Sequence, residues 1–158
     1  MFGLFQKEIP RIDALGMEQS EACAALHAAS FTFAWPPADL EALLGLRTTF
    51  AEGAYTRDDE LVGFILSRLA ADEAEILTIA VKPKRRGQGI ARRLMDANMA
   101  RLQAAGARSW FLEVEAQNAA ALALYKKLGF ERVGERKSYY RTAGGEAATA
   151  FILRRSLR

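Results

Sequence analysis

The stretch EILTIAVKPKRRGQGIARRL, Glu75 to Leu94, constrains the fold more than any other part of the chain, because it runs from an apolar strand through a basic turn into a helix. Ile76, Leu77, Ile79 and Val81 form a nearly continuous apolar run, which suits a strand covered on both faces, and Pro83 closes it. After the turn Arg85-Arg86-Gly87-Gln88-Gly89, a helical pattern follows at Ile90, Ala91, Leu94, Met95, Met99 and Leu102. The first amides of a helix have no partner within it and meet the positive end of its dipole, so such a start attracts anions. Gly87 and Gly89 carry no side chain to keep an anion away from the backbone. Lys82, Lys84, Arg85, Arg86, Arg92 and Arg93 surround them, and together these features form a seat for a diphosphate. The same residues also read as a tight turn with solvated charges. No Gly-Lys-Ser/Thr follows the glycines and the third glycine of a dinucleotide fingerprint is missing, which disfavours a nucleoside triphosphatase and a Rossmann dehydrogenase.

A chain of 158 residues, 51% hydrophobic and 26% charged, fits one globular domain with a sizeable core, and residues 1–158 are expected to form it. No apolar run approaches the length of a membrane span, and Met1 to Phe5 lack a basic leader and cleavage site, so a cytoplasmic protein is expected. Cys23 and His27 are each the sole residue of their type, which leaves no internal disulfide and no metal-ligand cluster. The net charge of +3 is concentrated around the turn and in Arg154, Arg155 and Arg158. Basic and aromatic residues do not interleave as a nucleic-acid groove requires, so an anionic small ligand explains the charge more economically.

Taken in order, residues 1–7 read as a loose extension, followed by an opening strand near Ile9 to Ile12 and a helix from Glu18 to Ala29 with Ala22, Leu26 and Ala29 on its apolar side. Phe31-Thr32-Phe33-Ala34-Trp35 is an aromatic loop, either plugging the core or walling a groove, and Pro36 and Pro37 start a second helix through Leu46. Phe50–Thr56 and Leu61–Leu69 read as strands joined by the polar loop Arg57 to Glu60. The long helix stops at Gly106, and Ser109–Val114 is an apolar strand expected beside the central one. Asn118 caps a helix from Ala119 to Leu128, and Phe130–Tyr140 and Ala147–Leu153 form a last pair of strands joined across Ala143-Gly144-Gly145.

Arg86-Gly87-Gln88-Gly89-Ile90-Ala91 resembles the Gln/Arg-x-x-Gly-x-Gly/Ala signature of GNAT-type N-acetyltransferases, and LEVEAQNAAALALYKKLGFERVGERKSYY, Leu112 to Tyr140, is similar to the second half of their RimI-type branch. The resemblance implies an α+β GNAT fold with flanking helices and a mixed, mostly antiparallel sheet whose central strand pair splays. It also implies acetyl-coenzyme A as cosubstrate, with no metal. The pyrophosphate would lie on the backbone of Arg86 to Arg92, through Gly87, Gln88, Gly89, Ile90 and Ala91. The pantetheine arm would pair with Ile79, Ala80 and Val81, beside a contact from Asn118. The expected partner is the N-terminus of a protein, the alanine of a small-subunit ribosomal protein in this branch. Neither nucleic acid nor membrane is required, and a monomer is the default.

Acetyl transfer to an amine needs a neutral amine, a polarised carbonyl and a proton for the departing thiolate. An α-amine titrates near 8 and a lysine near 10.4, so deprotonating lysine at neutral pH costs roughly 3.5 kcal/mol more, and a modest carboxylate base suits the former. Glu113 ends an apolar strand and corresponds to the family's general base; as plain sequence it is also a strand-end charge, with Glu115 two residues on as its rival. Tyr125 reads as a core aromatic and matches the family's general acid. The resemblance makes Phe33, Trp35, Tyr139 and Tyr140 candidates for the acceptor cleft. Arg141 stands where many relatives have Pro, and Pro36-Pro37 where Ser or Thr is common. Two other functions fit the motifs: acetylation of a lysine or small amine, and acyl-coenzyme A binding without catalysis. Binding alone would need neither Glu113 nor Tyr125.

Overall fold

Alternating burial along Glu73–Val81 and full burial of Leu61–Ser67 place two neighbouring strands at the centre of a seven-stranded sheet in the computed structural model. It describes residues 8–141 and 147–158, and side chains at 8–137 and 148–158. The extension at 1–7, the turn at 143–145 and the side chains of Tyr139 and Tyr140 thus lie outside the described residues. The strands are β1 (Arg11–Ala14), β2 (Thr49–Tyr55), β3 (Leu61–Ala70), β4 (Glu73–Val81), β5 (Ser109–Glu115), β6 (Glu131–Arg141) and β7 (Ala147–Ser156), in spatial order β1-β2-β3-β4-β5-β7-β6. Every neighbouring pair is antiparallel except β4 with β5, so the sheet is mixed.

Helices α1 (Ser20–Ser30) and α2 (Pro37–Leu44) cover one face, where Cys23, Ala24, Leu26 and Leu40 pack with Tyr55, Phe64, Leu66 and Ala80. Helices α3 (Ile90–Ala104) and α4 (Ala119–Lys127) cover the other, where Leu94, Met95, Leu102 and Tyr125 pack with Val62, Ile65, Ile76, Trp110 and Leu112. Helix α1 differs in phase from the sequence expectation: Cys23, Ala24, Leu26 and His27 are its buried side, while Ala22 and Ala29 face solvent. The opening strand falls slightly later than expected, at Arg11–Ala14. Gly106 and Gly129 have φ of 97° and 84°, and each follows the end of a helix, as a left-handed stop requires.

Two features of the core position the rest. A register shift between Leu66 and Ser67, paired with Thr78 and Ile76, leaves Leu77 as an extra residue on β4. Such a bulge bends its strand and increases its twist. Beside it, β4 pairs with β5 only through Glu73, Glu75 and the residue between them, against Ser109 to Phe111, so the two strands part from Ile76 onward. The gap between them is the splay expected of the fold.

Candidate active site

The N-terminus of α3 faces solvent through a turn built on two left-handed glycines. After β4 the chain makes a 3-10 turn at Pro83–Arg85, then Gly87 and Gly89 adopt φ of 77° and 79°, a region that strains any residue with a Cβ. Gly89 is the N-cap and supplies no side-chain hydrogen bond, and among the described residues the amides of the first helical turn have no side-chain acceptor. A Cβ built on either glycine meets no atom within 4 Å, so the backbone fronts open space. That geometry fits a bulky anion approaching the main chain.

Three of the basic residues around the turn have structural partners. Lys82 Nζ donates to Glu60 Oε1 at 2.5 Å and holds that carboxyl below the usual carboxylate range. Arg93 Nη1 donates to the carbonyl of Pro10. Arg86 donates from Nε to the Val81 carbonyl at 3.2 Å and from Nη2 to Ser30 Oγ at 3.1 Å, which ties the turn to the end of α1.

The edge of β4 along the gap carries backbone groups that β5 does not use. Lys82 N–H donates to the Val62 carbonyl, so by strand alternation Ala80 and Thr78 point their peptide groups at β3, while Ile79 and Val81 point theirs into the gap. Thr78 Oγ1 is buried on the same strand without a partner among the described residues. Free edge, open glycine turn and orphaned hydroxyl together suit a ligand with a hydrogen-bonding arm and an anionic end.

Glu113 sits on the part of β5 that has parted from β4. Trp110, Leu112 and Val114 point into the α3-side core, so Glu113 and Glu115 point to the opposite face, where both are exposed. Glu113 Oε1 accepts from Arg136 Nη1 at 3.1 Å. Tyr125 approaches from the α3 side, where it is 7% exposed and set edge-on to Phe130 at 5.8 Å between ring centroids. Burial pushes its phenol up to about 12. Asn118 caps α4, its Oδ1 accepting from Ala121 N–H at 3.2 Å, and its side-chain amide has no partner among the described residues.

His27, which the sequence marks only as the sole histidine, organises the aromatic loop. It is buried between Phe31 and Trp35, with ring centroids 4.4 and 4.7 Å away, and its Nδ1 accepts from Trp35 N–H at 3.1 Å. Trp35 is half-buried against the α1-side core, whereas Phe33 is 64% exposed and plugs nothing. Sequence reasoning gave no role to Arg136 or Ser30, whose partners lie 23 and 56 residues away. A depression of about 550 Å³ lined by Gln103, Gly106, Arg108 and Arg158 lies at the far end of α3, away from this site. Among the described residues no three His, Cys, Asp or Glu are grouped to hold a metal, and no helix is long and apolar enough to cross a membrane.

The sequence pattern of the Acetyltransferase (GNAT) family matches residues 20–130, from the start of α1 to just before β6. The chain belongs to the GNAT acetyltransferase family. It is 39% identical over 144 residues to the N-alpha-acetyltransferase RimI of Mycobacterium tuberculosis, covering 87% of this chain and 89% of that one. It is 31% identical over 129 residues to the [ribosomal protein bS18]-alanine N-acetyltransferase of Escherichia coli, covering 82% and 87%. The crystal structure of the ribosomal-protein-S18-alanine N-acetyltransferase from Escherichia coli superposes with a TM-score of 0.86 at 28% identity, over 94% of each chain. The parted strands β4 and β5 are thus the splay of a GNAT fold, and the chain is an acetyl-coenzyme A-dependent N-acetyltransferase.

Proposed function

We propose that this GNAT enzyme transfers the acetyl group of acetyl-coenzyme A to the N-terminal α-amine of a protein, with the N-terminal alanine of a small-subunit ribosomal protein as acceptor. The acceptor class rests on relatives whose names state that activity and which match over most of both chains. The observation that carries the chemistry is the position of Glu113, an exposed carboxylate on β5 just past the point where β4 leaves it. In this reading the amides of Gly87 to Arg92 hold the pyrophosphate, on a turn that the Arg86 side chain ties to Val81 and Ser30. The Ile79–Val81 edge, with Ile79 presenting its peptide group and Val81 its N–H, aligns the pantetheine arm, and the Asn118 amide adds a contact.

Bound acetyl-coenzyme A supplies a thioester whose carbonyl carbon accepts the amine nitrogen while the carbon–sulfur bond breaks. Glu113, directly or through one water, takes the proton that leaves the amine. Tyr125 gives its hydroxyl proton to the sulfur and regains one from solvent while Glu113 passes its proton to solvent, so that amide and free thiol balance the reaction of the neutral amine with no net proton change. The buried phenol remains protonated across the working pH range, as an acid must. Phe33 and Trp35 line the acceptor side, and Tyr139 and Tyr140 remain acceptor candidates on the sequence resemblance alone.

The test is to incubate the enzyme with acetyl-coenzyme A and a panel of peptides starting with Ala, Ser or Met, beside polyamines and a lysine peptide, and to locate the label. Label on the α-amine of the Ala-starting peptide is expected; label confined to side chains or small amines overturns the acceptor assignment. Glu113→Gln should lower kcat on the order of a hundredfold with acetyl-coenzyme A affinity kept.

A further inference from the structure

The exposed face of β5 carries two carboxylates, and the register across β7 separates them. Glu113 pairs with Ile152, which pairs with Gly134; Glu115 pairs with Ala150, which pairs with Arg136. Paired residues share a face, so all six occupy one side of the sheet, and Arg136 starts directly across β7 from Glu115. Its guanidinium nevertheless lies diagonally over β7 and donates to Glu113. Ala150, small and buried, lets the long side chain cross, and Gly134 offers no side chain in the row opposite Glu113.

We propose that Arg136 is the positioning residue for Glu113, an inference that rests on the reading of Glu113 as the base. An exposed glutamate on a strand end samples several rotamers, and a base works only within hydrogen-bond reach of its proton. By occupying Oε1, Arg136 holds the side chain in one orientation and leaves Oε2 to accept from the amine or its water. The same contact selects between the two carboxylates, because the arginine that could pair straight across with Glu115 is committed to Glu113.

A kinetic double-mutant cycle tests this, with wild type, Glu113→Gln, Arg136→Gln and the double variant compared under saturating acetyl-coenzyme A. Arg136→Gln is expected to lower kcat about tenfold, with KM for acetyl-coenzyme A within about twofold of wild type. It should have no further effect in the Glu113→Gln background, and Arg136→Lys should restore part of the loss. A merely structural role would lower activity equally in both backgrounds, and that result overturns the proposal while leaving Glu113 as the base. Full turnover in Glu113→Gln overturns the reading of Glu113 and this inference with it. Arg136 is solvent-exposed, so thermal unfolding is expected to be unchanged in its variants.

Discussion

Glu52, only 3% exposed on β2, accepts a 2.5 Å hydrogen bond at Oε2 from Asn98 Nδ2 on α3, which makes a carboxylate–amide pair the polar centre of an otherwise apolar interface. Asn98 also accepts from Ser67 Oγ at 2.5 Å and donates to the Phe50 carbonyl at 3.1 Å, while Arg101 Nη1 reaches Glu52 Oε1 at 2.6 Å. The network joins three elements and pins the helix whose other end forms the glycine turn. Asn98→Leu should cost about 2–4 kcal/mol in urea unfolding, because a buried carboxylate loses one of its donors. Adding Glu52→Leu should cost less than the two single changes summed, since the carboxylate oxygen left without its donor is gone. Strict additivity would mean that the two side chains do not act as a unit.

Such a pair is invisible along the sequence. Asn98 falls among apolar α3 positions and Glu52 among strand residues, and their separation of 46 residues carries no periodic signal. What was legible is local: the apolar run ending at Pro83, the glycines before Ile90, Asn118 ahead of its helix and Gly106 after the long one. Alanine blurred α1, because a residue that fits both a core and a surface gives no phase in SEACAALHAAS. The bulge at Leu77, beside the point where β4 parts from β5, is set by pairing with β3, and nothing in LTIAV marks it. Likewise the choice of Glu113 over Glu115 by Arg136 exists only once β7 lies between them.

His27 makes stability sensitive to acid. Burial lowers its folded-state pKa below the ordinary imidazole value of about 6.5, and its Nδ1 accepts from Trp35 N–H only when unprotonated. The unfolded chain therefore binds the proton first as pH falls, so this contribution is present above about 6.5 and is lost as pH drops toward the folded value, with a slope of at most about 1.4 kcal/mol per pH unit. His27→Gln keeps an acceptor without titrating. Urea unfolding between pH 7.5 and 5.5 should show a smaller loss in that variant than in wild type, and equal losses would remove His27 as the source.

Gly89→Ala separates backbone strain from ligand approach. With no atom within 4 Å of the new Cβ, the free protein meets only the left-handed penalty of about 1 kcal/mol, visible as a small fall in unfolding free energy. The same methyl group would stand between the helix amides and a bound pyrophosphate. Calorimetry should show acetyl-coenzyme A affinity down at least about tenfold at a temperature where the variant is fully folded. Unchanged affinity would place the anion elsewhere.

Tyr125→Phe removes one oxygen from a residue packed between α4 and Phe130, and the ring and its edge-on contact remain, so the fold should persist within about 1 kcal/mol. If the hydroxyl protonates the departing thiolate, kcat should fall on the order of a hundredfold while acetyl-coenzyme A affinity stays close to wild type. The phenol also predicts an alkaline signature independent of catalysis. Its folded-state pKa is raised to about 12 from an ordinary 10, so the unfolded chain loses that proton first. Its contribution is fully present below pH 10 and declines as pH climbs toward 12. Wild type should therefore lose more stability than Tyr125→Phe between pH 9.5 and 11. A variant with unchanged kcat but the expected alkaline difference would keep Tyr125 as a buried core phenol and remove it as the acid.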